Sequence, residues 1–467
     1  MALEVSPGVQ LQPSSEQVAL ATNYITDFNF LKTQMPELYE KEFSRYGDRS
    51  VASFLRHTSS EKPFSSDLIK WSEEGRLHTK YTNCESDAAA AADEATITVN
   101  DTITGKISVR VGQTVMLSKA GTGSNKAIVT AVDTTAGTFD VAYYGAAGQA
   151  FGAVSGIEMF IYGSEFGKGT NGMVGSLEAQ TEIYENSPII LKDKYSVNGS
   201  DMTQIGWIKV EGDESGWLWF IKSKHDTRVR FEDYLETSGL EAVPAETGSG
   251  VATQTTSDQV GNKGSEGVFY VVGDRGNVWG AGNPTTLEDW DTVVARMDSQ
   301  GKIEENAIFH NRQFGFDIDN MLATLNGYNG TGSANGASFG LFDNKPEMAL
   351  NLGFSGFRRG YDFYKTDWKY LNDPTMRGGI TDGGINGMMV PVGTKTIYDY
   401  VLGKNAKLPF LHVRYRMSAK ENRKLKTWIT GSAGGASNSD LDALEVHWLS
   451  ERATVTLGAN NFMLFNK

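Results

Sequence analysis

The chain has 467 residues, a formal net charge of −14 and a single cysteine, Cys84. A surface this acidic does not suit general phosphate binding, which needs Lys and Arg to release counterions, and one cysteine rules out an intrachain disulfide framework. With 52 glycines against 11 prolines, the connections are predicted to be tight turns and flexible loops rather than rigid linkers.

Residues 1–10 lack a charged segment followed by an apolar run, so no signal peptide is expected. The apolar cluster at 217–221 is far short of the roughly 20 residues of a membrane helix, so a soluble chain made in the cytoplasm is predicted. A helix is predicted over 15–31, with Val18, Ala21, Tyr24, Ile25 and Phe28 near one face. Pro36 suits the first turn of a second helix carrying Tyr39, Phe43 and Tyr46. After Gly47, Asp48 can cap a further turn holding Val51, Phe54 and Leu55. These short helices carry too few apolar residues to close a core, so they are expected to lie on another surface or another subunit.

Residues 61–87 turn strand-like, and a run of alanines at 88–92 marks a junction. Strand signals then follow at 96–100, 106–111, 113–118, 126–133 and 138–144, with glycines between them. That spacing predicts a small β-barrel or sandwich. It reads as an insertion, because strand-like sequence of the earlier kind resumes at 157–162. Extended segments are predicted at 181–190, 195–197 and 207–210. A helix of ~22 residues over 216–239 would span ~33 Å; its middle is basic, with Lys222, Lys224, Arg228 and Arg230. Residues 239–267 read as a flexible loop, and 268–272 as a strand.

The best-defined core signal is a helix, a strand and a second helix over 285–327. Thr285 and Glu288 fit a capping box. Trp290, Val293, Val294 and Met297 follow one helical face, and Gly301 is expected to end the helix with positive φ. A strand at 307–309 leads to a second stripe of Phe314, Ile318, Met321, Leu322 and Leu325. Both helices are expected to pack on one sheet. Residues 354–370 interleave aromatic and basic side chains, which fits a packed subunit interface better than base stacking in so acidic a chain. Strands are predicted at 388–391, 408–415, 444–448, 454–457 and 462–465.

Chemical motifs are sparse. The six histidines form no His-x-x-x-His pair, so no zinc site is expected. Gly336-Ala337-Ser338-Phe339-Gly340 matches Gly-x-Ser-x-Gly, but it lies in a polar loop where a nucleophile elbow needs strand, turn and helix. No catalytic group, metal or cofactor is expected, and no enzymatic activity.

This order of parts resembles the Hong Kong 97-type major capsid proteins of tailed bacteriophages. A second, local likeness is the Glu451-Arg452 pair in a late strand followed by a last strand at 462–465. The chain is also similar, more loosely, to the crAss-like phage branch. The resemblance implies an α+β fold with an N-terminal arm at 1–60 and an extended β-loop at 61–211 carrying a small all-β insert at about 88–160. It implies a spine helix and peripheral-domain strands at 212–284, with a flexible loop at 239–267. An axial domain would take 285–440, and peripheral strands would close the chain at 441–467. The implied function is a virion shell subunit, assembled in the bacterial cytoplasm into hexamers and pentamers around double-stranded DNA held non-specifically. Portal, scaffold and decoration proteins would be its partners, and a membrane would not. The inter-subunit interface is expected to use Trp71, Glu74, Arg76, Lys192, Lys194, Arg228, Arg230, Arg358, Arg359 and Trp368. The alternative is an encapsulin-like compartment enclosing protein cargo; encapsulins are usually shorter and lack a large insert.

Overall fold

The computed structural model describes residues 50–52, 54–87, 93–100, 107–145, 150–177, 181–204, 219–256, 260–301, 303–328, 355–381, 383–399 and 404–466. The helices expected within 15–46, the alanine run, the strand at 207–210 and the Gly336–Gly340 motif lie outside these residues. The chain divides into two compact units. The larger comprises Val51–Leu191, Tyr234–Leu425 and Ser450–Lys467; the smaller holds Lys192–Asp233 and Lys426–Leu449 with Ser50.

The larger unit is built on a six-stranded sheet in the order Asn277–Trp279, Met463–Asn466, Ile385–Pro391, Glu305–His310, Tyr361–Asp367, Gly356–Arg359. Glu305–His310 pairs parallel with Tyr361–Asp367 and antiparallel with Ile385–Pro391. Side chains alternate across a strand, and here the alternation feeds two cores. Ile308, Met389 and Phe465 meet one hydrophobic cluster. Phe309, Met388, Val390 and Leu464 meet another.

The helices Leu287–Gln300 and Arg312–Tyr328 both bury their stripes in the first cluster: Trp290, Val293 and Met297 from one, Phe314, Ile318 and Met321 from the other. The expected packing of both helices with one sheet is what the structure has. Their end signals differ from expectation. The capping residue is Thr286, one position later than predicted. Its hydroxyl accepts from the Asp289 amide at 3.2 Å, and the Asp289 carboxylate accepts from the Thr286 amide at 3.0 Å. The box therefore uses aspartate, whose shorter arm still reaches back one turn. Gly301 has φ 169, which is extended backbone. A Cβ there would lie 2.7 Å from the Asn461 side-chain oxygen, which can turn aside, so the structure does not demand glycine at this position.

Val268–Arg275 is a helix, against the strand expected at 268–272. Its apolar run buries Val268, Phe269, Val271 and Val272 in a spacing that also suits one helical face. A short continuous apolar run does not discriminate the two states, and tertiary packing decides. It faces the second cluster together with Phe54 from the short helix Phe54–Thr58, Trp368 and Leu371.

The predicted β insert is a closed six-stranded barrel. Around it run Lys80–Ser86, Glu94–Val99, Thr138–Tyr143, Gly123–Asp133, Gln113–Lys119 and Val154–Ser164, which pairs with the first strand. It is wider than the expected 88–160: Lys80–Ser86, assigned to the loop, supplies its first strand, and its last strand runs on to Ser164. Residues 107–111 form no strand. The interior is its own core of Ile97, Val115, Leu117, Val129, Phe139, Val141, Ile157 and Met159, with Cys84 fully buried among them. The thiol therefore acts as a small apolar filler.

Before and after the barrel, Ile69–Glu74 and Thr181–Asn186 pair as an antiparallel two-stranded ribbon. Ser60–Phe64 pairs parallel with Leu411–Arg416, which pairs antiparallel with the 452–456 end of the long strand Ala443–Thr456. The strands expected at 444–448 and 454–457 are thus one. Met463–Asn466 belongs to the six-stranded sheet instead, so 441–467 does not form a single group.

In the smaller unit, Lys426–Gly431 pairs antiparallel with 444–449 of the long strand. The helix Trp219–Glu241 contributes residues as far as Asp233, with Phe231 buried and Arg228 and Arg230 exposed.

Candidate functional site

Trp71 and Glu74 lie on the ribbon, and Arg76 follows directly after it. The Trp71 indole N–H donates to Glu73 at 3.0 Å, and its ring lies 6.1 Å from that of Tyr184 on the facing strand. Arg275 stacks over Tyr184 at 4.4 Å. The Glu182 carboxylate accepts the Tyr184 hydroxyl and pushes its pKa up to about 12. One end of the ribbon is pinned by buried Asn186. Its amide donates to the carbonyls of Thr454 at 2.7 Å and Glu266 at 3.1 Å, and accepts from Ser265 at 3.0 Å. Toward the other end Glu73 accepts from the Gly458 amide at 2.9 Å. The uncovered side chains are Ile183, 68% exposed, and beyond the strands Leu77 at 90% and Val174 at 85%.

Where the chain enters the ribbon, a charged junction gathers around Glu451, which is 4% exposed. Glu451 accepts from Arg416 at 2.9 Å and pairs with Arg423 at 2.7 Å; Arg416 also reaches Asp67 at 2.5 Å. The carboxylates of Glu451 and Asp67 push the Arg416 guanidinium above its ordinary value. Arg452 donates to the Ser450 hydroxyl at 3.0 Å and the Lys424 carbonyl at 3.2 Å, with Glu61 3.6 Å away. Burial pushes its pKa down, and the Glu61 charge opposes that. The junction borders a cleft of about 470 Å³ lined by Ser65, Ile190, Met417, Ser418 and Glu421 besides the ion pairs. Each arginine facing Glu451 is already paired, so the cluster braces strands and leaves little free charge for a ligand.

The other expected interface residues are spread out. Arg358 pairs with Asp362 at 3.2 Å, and Arg359 chelates Asp291, holding that carboxyl below its usual range. Trp368 is 2% exposed. Its ring stacks on Phe54 at 4.4 Å and lies near Phe309 and Phe269, so it fills the core and presents no surface to a neighbour. In the smaller unit, Lys194 pairs with Glu445 at 2.8 Å and Arg230 with Asp193 at 3.7 Å, while Arg228 bridges to Glu232 one turn along its helix. Lys194, with Thr430 and His447, holds the Glu445 carboxyl below its usual range. Lys192 and Arg76 have no ion pair among the described residues.

Sequence reading singled out Glu451-Arg452 but not the partners at 61, 67, 416 and 423, because these come from distant segments that carry no local signal. The ion pair of Lys365 with Asp319, on the first-cluster side of the sheet, was missed for the same reason. Among the described residues no three His, Cys, Asp or Glu side chains converge as metal ligands, and no helix is long and apolar enough to cross a membrane.

No family model matches the chain, and no curated protein matches it. It is similar to a solved structure described as Mycobacterium phage Ogopogo, at 11% identity and a TM-score of 0.42, over 93% of this chain and 97% of that one. It is similar to one titled capsid of native GTA particle, at 10% identity and a TM-score of 0.40, over 96% and 99%. It is also similar to the capsid structure of the cyanophage P-SCSP1u, at 8% identity and a TM-score of 0.42, over 93% and 94%.

Proposed function

We propose that the chain is the major shell subunit of a tailed-phage capsid, joining other copies in hexamers and pentamers to enclose double-stranded DNA. The observation that carries this reading is the ribbon. An isolated two-stranded hairpin is at best marginally stable in water. This one is tied through Asn186 and Glu73, yet it leaves Ile183 without cover, and Leu77 and Val174 stand exposed beyond its strands. Such a surface asks for a partner, and a second copy of the chain supplies one at every position of a closed shell. The order of parts also agrees with what the sequence resemblance implies: ribbon, long helix, then two helices on a mixed sheet.

In this reading the mechanism is interface geometry. The ribbon lies on a neighbouring subunit, and exposed cations such as Arg76 and Lys192 meet carboxylates across the joint. The net charge of −14 keeps the wall from gripping the genome tightly as it is packed. The test is electron microscopy of the purified protein over a range of salt and concentration. Closed icosahedral particles are expected. A monomer under every condition overturns the proposal, and particles that hold an enzyme in place of DNA in infected cells would favour an encapsulin-like compartment.

A further inference from the structure

On the outside of the barrel a cleft of about 430 Å³ is lined by Thr114, Lys126, Tyr144, Tyr162, Ser164 and Glu165. That volume is at the small end of the range of about 300–1,000 Å³ usual for small-molecule sites. The barrel seals its own core, so these outward side chains are not needed to close it. Tyr144 is nonetheless 50% and Tyr162 46% exposed, a costly place to leave two aromatic rings.

The walls are held in place. The Tyr144 amide donates to the Lys126 carbonyl at 3.1 Å, and the Glu165 amide to the Gly112 carbonyl at 3.0 Å. The Tyr144 hydroxyl donates to Glu165 at 2.5 Å. Phe166 seats its ring so closely on Gly112 that a Cβ there would lie 2.6 Å from it. Gly112 also has φ +85, where a side chain is strained. The Lys126 ammonium lies 5.4 Å from the centre of the Tyr162 ring. One cation and one carboxylate leave the lining without net charge, and the ammonium already satisfies the attraction of that ring for a cation. What remains is the Tyr144 ring and the part of the Tyr162 ring that Lys126 leaves open, ringed by hydroxyl, ammonium and carboxylate groups.

We infer that this cleft binds a neutral pyranose sugar. The C–H faces of the sugar pack on Tyr144 and Tyr162, and its hydroxyls donate to Glu165 and accept from Lys126 and Ser164. A charged sugar would leave an unbalanced charge against this lining. A flat apolar partner would cover the Lys126 ammonium and the Glu165 carboxylate without meeting their charges. The inference does not depend on whether the chain builds a shell.

The test is saturation-transfer NMR on the full chain with methyl glucoside, N-acetylglucosamine, lactose and, as a charged control, N-acetylneuraminic acid. Saturable binding of at least one neutral sugar is expected. Tyr162→Ala should weaken it about tenfold, the loss of one stacked ring, and Tyr162→Phe should retain it; both should melt with the parent. The inference is overturned if no neutral sugar saturates, if only the charged control binds, or if Tyr144→Ala and Tyr162→Ala both bind as the parent does. It is also overturned if dilution alone exposes the cleft, since a second copy would then be its occupant.

Discussion

Trp368 offers the most direct test of the core described above, because an aromatic, basic stretch reads as interface in the sequence and as interior in the structure. A buried tryptophan removes about 150–250 Å² from water, worth ~4–6 kcal/mol at 25 cal/mol/Å² as an upper bound. The stack on Phe54 at 4.4 Å adds about 0.5–1.5 kcal/mol. Partial collapse of the surrounding side chains reduces this, so Trp368→Ala should destabilise the subunit by ~3–5 kcal/mol. The indole N–H finds no acceptor among the described residues, and an unpaired buried donor costs ~1–3 kcal/mol. Trp368→Phe removes that donor and should cost less than about 1.5 kcal/mol. Urea unfolding of unassembled subunits, followed by circular dichroism, measures both. The reasoning is refuted if Trp368→Ala leaves the unfolding midpoint in place and abolishes assembly, for the ring would then act between subunits.

Further outcomes are expected from other features. Burial, aided by the charges of Arg414 and Lys62, lowers His412 from 6.5 to about 3. The unfolded chain then takes up a proton near 6.5 that the folded chain refuses until near 3. Stability from this group is full above the upper value and falls as pH drops through that window, by up to ~1.4 kcal/mol per pH unit. His412→Leu should flatten the slope between two urea titrations at either end of it; an unchanged slope contradicts the assignment. Lys365→Met removes the ammonium that bonds Asp319 and the Gly315 carbonyl and should destabilise the subunit by ~3–5 kcal/mol, with Asp319→Leu restoring part of it in the double variant; additive losses would count against the pair. Excising residues 88–160 cuts through the barrel and should yield aggregates, whereas excising 79–165 behind a short Gly-Ser link should leave a folded chain by circular dichroism. A soluble product from the first excision would contradict barrel closure. Leu77→Asp with Val174→Asp should spare the subunit fold and reduce particle yield in light scattering; full yield would remove the ribbon from the joint.

Period was legible where it was unambiguous. Trp290, Val293 and Met297 repeat as only a helix does, as do Phe314, Ile318 and Met321, and both helices lie where the pattern puts them. The run at 268–272 suited a strand and a helical face alike, and packing with Phe54 and Trp368 decided for the helix. Barrel closure was hidden because Lys80–Ser86 and Val154–Ser164 show exposed, mostly polar residues along one side, which reads the same on a ribbon as on the outside of a barrel. The candidate interface was least legible. Arginine and tryptophan are enriched in joints and in braced cores alike, and only coordinates separate Trp368 from Arg358. The junction at Glu451 depends on residues brought together from three distant segments, around 61–67, 416–424 and 450–452, which no local pattern could announce.

The mixed sheet has its strands shared, residue by residue, between two hydrophobic clusters. Ile308 serves one and Phe309 the other; Met389 and Met388 divide likewise, as do Phe465 and Leu464. Neither cluster can loosen alone, since separating Glu305–His310 from Ile385–Pro391 opens both faces together. The central amides of these strands should therefore exchange their hydrogens in a single slow class, through one cooperative opening. A subunit of this kind offers no partly melted sheet from which stray strands could pair with those of a neighbour.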